Sequence, residues 1–261
     1  MLAPFRLPDS YAQFNRRHHA PDGRSLGHRL RRLGRNRFRL LVAGPYAWQS
    51  NNTTRAFEYP WAHEQIQRLG RNLVIADVGA SLAGLQFTLA KEGHEVHAVD
   101  PGLNASGLGW EVDPTFHQLL AETYHAPVEL HPTIFQDAGF AENSLDVVLS
   151  VSTIEHFGPN DLQSFAQSAR RALKPGGHLV LTIDLFLDLI PFTDRDQNRW
   201  GTNMSVAALI EALDATIVVG DREGLYGFPE FDARRIQADL SEYMIGAYPT
   251  LTQCIVARVG P

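Results

Sequence analysis

The chain has one cysteine, Cys254, among 261 residues. That excludes an internal disulfide and any zinc site built on clustered cysteines, and the apolar neighbours Ile255 and Val256 make it a packed residue. No stretch approaches the roughly 18 consecutive apolar residues that a membrane span needs. No N-terminal segment joins a basic start to an apolar run and a small-residue cleavage site. Repeats and low-complexity segments are also lacking. The net charge of −6 argues against a general nucleic-acid binder. These absences leave the expectation of a soluble, cytoplasmic globular protein. A hydrophobic share of 44% over this length can bury one full core with an appendage, or two small domains.

One stretch organises what is there. Residues 73–76 are an apolar run that reads as a buried strand, and it leads into Asp77 and a small-residue turn. Residues 85–91 read as a helix stopped by Gly93, and residues 95–99 as a second strand ending on Asp100. Such a unit brings ligands to the carboxyl ends of its strands. The Gly-x-Gly-x-x-Gly triplet of dinucleotide folds is missing. Instead Asp77 stands two residues before Gly79.

That layout resembles motif I of the class I S-adenosylmethionine (SAM)-dependent methyltransferases, acid-x-Gly-x-Gly-x-Gly. The resemblance implies that Asp77, Gly79, Ala80 and Ser81 line a loop around the methionine end of SAM. It also implies that Asp100, followed by Pro101, accepts hydrogen bonds from both ribose hydroxyls. Ser81 and Ala83 depart from the family, because they stand where its second and third glycines fall. Both are small enough to keep the backbone close, but a side chain at 81 would crowd or rotate the cofactor.

Later segments extend the likeness. Residues 103–110 read as a glycine-containing loop. Asp113 and Pro114 then open a helix carrying Phe116, Leu119, Leu120 and Tyr124, and residues 128–130 form a third strand. The run Phe135-Gln136-Asp137-Ala138, followed by a fourth strand over residues 144–150, is similar to the family's adenine-binding region. By that likeness Asp137 holds the adenine amino group with Gln136 and Ala138 beside it, and Ser150 closes the fourth strand against the cofactor. Asp146 reads as a cap. His156 falls where many small-molecule methyltransferases place a histidine near the acceptor. A neutral imidazole there could take the proton of an attacking hydroxyl. The alternative is that Glu155 and His156 only shape the turn. A helix from Gly158-Pro159 to Leu173 then ends at Lys174-Pro175-Gly176-Gly177 and feeds an apolar strand over residues 178–183. That is a recognisable family feature, since proline stops the helix and the glycines turn the chain.

The flanks are less legible. Nine arginines fall between Arg16 and Arg39 against the single Asp22. Leucines interrupt them, which favours a helical appendage whose arginines are solvated or pair with the acidic body. Asp9, Pro4, Pro8 and Pro21 break any mitochondrial targeting pattern. Tyr46, Trp48, Tyr59 and Trp61 either wall the acceptor pocket or staple the appendage to the sheet, and Pro60-Trp61 is expected to open a helix to about residue 69. Residues 184–203 read as a substrate lid carrying Trp200. Their aspartates lack the histidine cluster or regular spacing of a metal site, so no metal is assigned. A helix over residues 204–213, a strand over 216–219, a helix over 231–245 and a strand over 252–259 complete the chain.

The expected fold is α/β: a Rossmann-like, doubly wound seven-stranded sheet, mostly parallel with an antiparallel last strand. Residues 1–62 form a basic, aromatic appendage and residues 63–261 the SAM-binding domain. The body lacks the Asn/Asp-Pro-Pro-Tyr signature of base-modifying enzymes and the double-glutamate loop of protein arginine enzymes. The expected activity is methyl transfer to a hydroxyl or amine of a small-molecule acceptor, in specialised metabolism, with nucleic acid and membrane disfavoured as partners. Two alternatives stand beside it: a SAM-binding cyclase or regulatory protein without methyl transfer, and an RNA methyltransferase using the basic N-terminus. The sequence leaves the oligomeric state open, a homodimer being one option.

Overall fold

Residues 1–24, 36–102 and 112–260 are described by a computed structural model. The arginine-rich stretch around Leu26, Leu30 and Leu33 and the loop over 103–110 lie outside them. Seven strands form one sheet in the order β3-β2-β1-β4-β5-β7-β6. They are β1 (Val74–Val78), β2 (Glu95–Val99), β3 (Val128–His131), β4 (Leu145–Val151), β5 (Leu173–Phe186), β6 (Ala215–Val219) and β7 (Thr250–Val259). β1 pairs in parallel with both β2 and β4, β2 with β3, and β4 with β5. β7 lies antiparallel between β5 and β6. This is the expected seven-stranded, Rossmann-like sheet. Strand order reverses between β1 and β4, so a crevice opens beyond their carboxyl ends.

The pleat divides the core into two layers, because successive side chains of a strand point to opposite faces. Ile75, Val147, Leu149 and Val180 pack beneath α1 (Asp9–His18), α2 (Arg37–Ala43), α3 (Arg55–Leu69), α4 (Gly84–Lys91) and α5 (Pro114–Tyr124). Ala76, Val78, Val148 and Leu181 pack against α6 (Pro159–Ala172) and α7 (Val206–Ala212). A short helix, α8 (Ala233–Ala238), lies outside these layers and buries Ile236 with Leu2, Leu185 and Leu251. Local signals set the helix ends. Asp113 caps α5 through the N–H groups of Thr115 and Phe116, and Pro114 occupies the first turn. At the Lys174-Pro175-Gly176-Gly177 turn, pairing with β4 skips from Leu173 to His178, so these four residues bulge from the ladder.

Three features depart from the sequence expectation. α3 starts at Arg55, so Pro60 sits inside it instead of opening it. A proline there removes the hydrogen bond to the carbonyl four residues back. That carbonyl, of Ala56, instead accepts from Asn15 Nδ2 of α1 at 2.7 Å, and the tertiary partner offsets the local loss. Secondly, α3 runs unbroken across residue 62, where appendage and domain were divided. The first residues also join the sheet: Leu2 bridges Gln253, and Ala3 N–H donates to the Thr252 carbonyl. Finally, the helix expected over 231–245 is confined to α8 and a 3-10 turn, Leu240–Glu242. Beyond it, Pro4 bridges Tyr243 and Met244 N–H donates to Ala3. Pairing with the N-terminal segment satisfies that backbone without a helix.

Candidate cofactor and acceptor site

At the carboxyl end of β1 the chain turns on Gly79, whose φ is +73°. A Cβ there would lie 2.2 Å from the Thr153 side chain, so both conformation and space demand glycine. Ser81 is also left-handed, with φ +44°. The position of the family's second glycine therefore keeps a glycine-like backbone, at a cost of about 1 kcal/mol for a residue with a Cβ. Ser81 N–H donates to Asp100 Oδ2 at 2.8 Å, and Gly102 N–H to Asp100 Oδ1 at 2.7 Å. Each carboxylate oxygen thus holds one backbone donor and retains a further acceptor position. Burial raises the Asp100 pKa while the two N–H groups pull it down. Asp77, also buried, is pushed up to about 8 by desolvation first and by Asp100 second.

Two residues that sequence reasoning passed over hold this loop in place. Gln86, fully buried on α4, donates to the carbonyls of Ala80 at 3.2 Å and Ser81 at 3.1 Å. Its Oε1 faces His117 Nε2 at 2.7 Å. Because the amide nitrogen is committed to the carbonyls, His117 donates. Burial lowers its pKa to about 4, so the ring is neutral. The available signal was a lone amide on the apolar stripe of Leu85, Phe87 and Leu89. The other cofactor-side residues are more dispersed. Ser150 is fully buried and donates to the Val78 carbonyl at 3.2 Å, joining β4 to β1. Pro101, Gln136 and Ala138 are half-buried, and Asp137 is exposed on the 3-10 turn Phe135–Asp137. Asp146, within β4, accepts from Val74 N–H at 2.8 Å and Lys174 Nζ at 2.7 Å, which ties the starts of β4 and β1 together.

β4 ends in a 3-10 turn, Ile154–His156, over the other half of the crevice. His156 Nδ1 lies 2.9 Å from the Trp200 carbonyl. A carbonyl only accepts, so Nδ1 carries a proton, and in the neutral ring Nε2 presents its lone pair. The half-buried Trp200 ring stands 6.5 Å from the imidazole and 5.0 Å from Tyr248, with the Arg199 guanidinium 4.3 Å over it. The lid segment therefore brings Trp200 and His156 together. Tyr46, Tyr59 and Trp61 lie elsewhere, each only 1% exposed. Tyr46 reaches Thr88 Oγ1 at 3.1 Å, and Tyr59 donates to Asn51 Oδ1 at 2.8 Å. Half-buried Trp48 donates to Tyr124 at 2.8 Å and meets Phe116 edge-on. The Tyr46 and Trp48 contacts staple the N-terminal segment onto α4 and α5, Tyr59 bonds within that segment, and Trp61 is buried in the same core.

Behind His156 lies a buried acidic group. Glu58 pairs with Arg55 and accepts from Ser152 Oγ at 2.5 Å and Thr182 Oγ1 at 3.0 Å. Ser152 Oγ also touches Asp184 Oδ1 at 3.2 Å. One hydroxyl proton cannot serve two carboxylates, so Asp184 carries a proton of its own when Ser152 donates to Glu58. Desolvation, then the charges of Glu155 and Glu58, raise the Asp184 pKa accordingly. Glu155 is 2% exposed, and among the described residues neither of its oxygens has a partner in hydrogen-bonding geometry. Desolvation pushes it up to about 8.

The sheet order, the glycine turn and an acid closing β2 form a Rossmann-like architecture of the nucleotide-binding kind. Residues 76–181 match the family model described as a methyltransferase domain. No curated protein matches the chain. Among solved structures, the 1,6-didemethyltoxoflavin-N1-methyltransferase of Burkholderia thailandensis, with 1,6-didemethyltoxoflavin and S-adenosylhomocysteine bound, aligns at a TM-score of 0.53. It is 19% identical, and the match covers 100% of this chain and 95% of that one. A protein that converts a disulfide bond into a thioacetal group in echinomycin biosynthesis aligns at 0.52, with 15% identity over 77% of this chain and 83% of that one. The cyclase SpnF also aligns at 0.52, with 13% identity over 79% and 83%. At such identities these structures show the fold alone. The match to a methyltransferase domain spans residues 76–181, the neighbours share its fold, and the group such a domain implies is SAM. The cradle fits that group: Gly79 leaves the space a Cβ would fill, and buried Asp100 keeps acceptor positions for a diol.

Proposed function

We propose that this protein methylates a hydroxyl or amine of a small molecule, with His156 as general base. The locked tautomer of His156 at the end of β4 carries this reading. SAM supplies an electrophilic methyl on a sulfonium. The protein's residues position and deprotonate: Asp100 takes the ribose hydroxyls, Gly79 to Ser81 follow the methionine end, and Trp200 flanks the acceptor. His156 Nε2 removes the acceptor proton as the carbon–sulfur bond breaks and the bond to oxygen or nitrogen forms. S-adenosylhomocysteine and a proton are the other products. Most of the acceleration comes from in-line placement. The toxoflavin enzyme, whose substrate is a small molecule, supports this substrate class by analogy of fold.

The test is calorimetric titration with SAM and separately with NAD, followed by an acceptor screen read as S-adenosylhomocysteine release. Binding of SAM without a response to NAD is expected. Asp100→Ala should weaken SAM by ~1.5–3 kcal/mol, the scale for hydrogen bonds to a charged group. Unchanged affinity in a folded variant would remove Asp100 from the cofactor site. Retention of SAM with no turnover on any acceptor would favour a cofactor-bound cyclase or regulatory protein.

A further inference from the structure

Away from the crevice, β2 and β3 place four polar side chains on one face at the sheet edge. In their parallel register His97 pairs with Glu129 and Val99 with His131. The period of two then puts Glu95, His97, Glu129 and His131 on the same side. β3 is the edge strand, so this face is reachable from solvent. The imidazoles are mostly covered, and both glutamates are exposed. Phe140 contacts both rings, with centroids 5.4 Å from His97 and 5.3 Å from His131.

The distances are those of a donor set. His97 Nδ1 lies 3.1 Å from His131 Nε2 and 3.3 Å from Glu129 Oε2, and Glu129 Oε1 lies 3.7 Å from His131 Nε2. Ligands about 2.0–2.1 Å from a tetrahedral zinc ion are separated by roughly 3.3 Å. Among the described residues this is the one group of three histidine, cysteine or acidic side chains whose donor atoms converge so closely. The hydrogen bonds also leave a deficit. His97 Nε2 faces Glu95 Oε1 at 3.1 Å and so carries a proton. In a neutral ring Nδ1 is then a bare lone pair. His131 Nε2–H can satisfy it, yet the Glu129 carboxylate still faces that nitrogen with no proton between them. A second proton on the ring would remove the conflict, and so would a metal cation placed between the three donor atoms. Glu95 meanwhile stands where metal-bound histidines place a carboxylate, on the ring N–H opposite the metal.

We propose that His97 Nδ1, His131 Nε2 and a Glu129 oxygen bind a divalent transition-metal ion of zinc-like character, with Glu95 orienting His97. Two imidazoles and a carboxylate suit borderline ions such as Zn²⁺ more than the oxygen-seeking Mg²⁺ or Ca²⁺. Open positions are left for water. The site is independent of methyl transfer and ties the edge strand to β2, just before Asp100, whose N–H donates to the His131 carbonyl at 3.1 Å.

The test is titration of chelator-treated full-length protein with ZnCl₂, with SAM binding as the control for folding. One zinc per chain is expected, with a rise in the melting temperature. His97→Ala and His131→Ala should each abolish that site while SAM still binds. Glu95→Gln should weaken zinc by about 10–100-fold, the range for an outer-shell partner. Titration with MgCl₂ should give no response. Absence of zinc binding, or stoichiometric binding that survives both histidine substitutions, would overturn the proposal.

Discussion

Arg55→Met is expected to destabilise the protein by about 3–5 kcal/mol, the range for removing one partner of a buried ion pair. Glu58 is fully buried, and its nearest cation is the largely buried Arg55 on the same helix. Its remaining contacts, the hydroxyls of Ser152 and Thr182, satisfy lone pairs without supplying charge. Methionine keeps the length of the side chain but leaves the carboxylate uncompensated beside Asp184 and Glu155. The double variant Arg55→Met/Glu58→Met should recover much of the loss, since an apolar pair of similar volume carries no desolvation penalty. Urea unfolding of both variants checks this. A single-variant loss below about 1 kcal/mol would mean that Glu58 is held neutral or compensated elsewhere.

The same group gives stability a pH dependence of definite sign. Glu155 and Asp77 are raised to about 8, and Asp184 is raised as well. The native state therefore keeps protons that the unfolded chain releases near pH 4. This contribution is complete below the unfolded values and is lost as pH rises through about 8. The buried histidines act oppositely. His117 and His94 are depressed by burial, so their contribution is present above about pH 6.5 and lost on acidification. Between about pH 6.5 and 8.5 these carboxylates are opposed by the buried Met1 ammonium, whose pKa desolvation lowers, and because several carboxylates shift against one amine the melting temperature should fall with rising pH. Glu155→Gln, flanked by Arg55, Glu58 and Asp184, should flatten that slope.

The parts legible in the sequence were those specified by neighbours along the chain. Asp77 to Asp100 read as strand, turn, helix and strand because periodicity and glycine punctuation are local. The turn before His178 and the cap at Asp113 are local too. Long-range partners decided the rest. Nothing near Pro60 announces that Asn15 would satisfy Ala56, so the start of α3 was placed too late. Residues 231–245 carry a helical pattern, but pairing with Pro4 and Ala3 overrides it past α8. Glu58, Ser152 and Asp184 lie on α3, on the turn after β4 and on β5, so no spacing could group them. His97 and Glu129 likewise meet only through strand register. Aromatic composition was the weakest guide, because Tyr46, Tyr59 and Trp61 look the same in a pocket wall as in a staple.

His156→Gln should lower turnover by about 10²-fold or more, the lower end of what a positioned base contributes. Glutamine can still donate to the Trp200 carbonyl, which keeps the turn after β4 in place while removing the basic nitrogen. The contact runs to backbone, so Trp200→Ala should leave the imidazole tautomer intact. That variant should instead raise KM for the acceptor, with a smaller effect on kcat. SAM affinity should be unchanged in both, because the proposed cofactor residues Asp100 and Gly79 to Ser81 are not touched by either substitution. The separation distinguishes a base from a packing residue. A base lost at 156 lowers turnover alone, whereas a loosened turn would lower rate and SAM affinity together. Residual activity is expected, since placement of the acceptor in line with the sulfonium survives the substitution. Equal loss of turnover and SAM affinity in His156→Gln would return His156 to the role of shaping the turn.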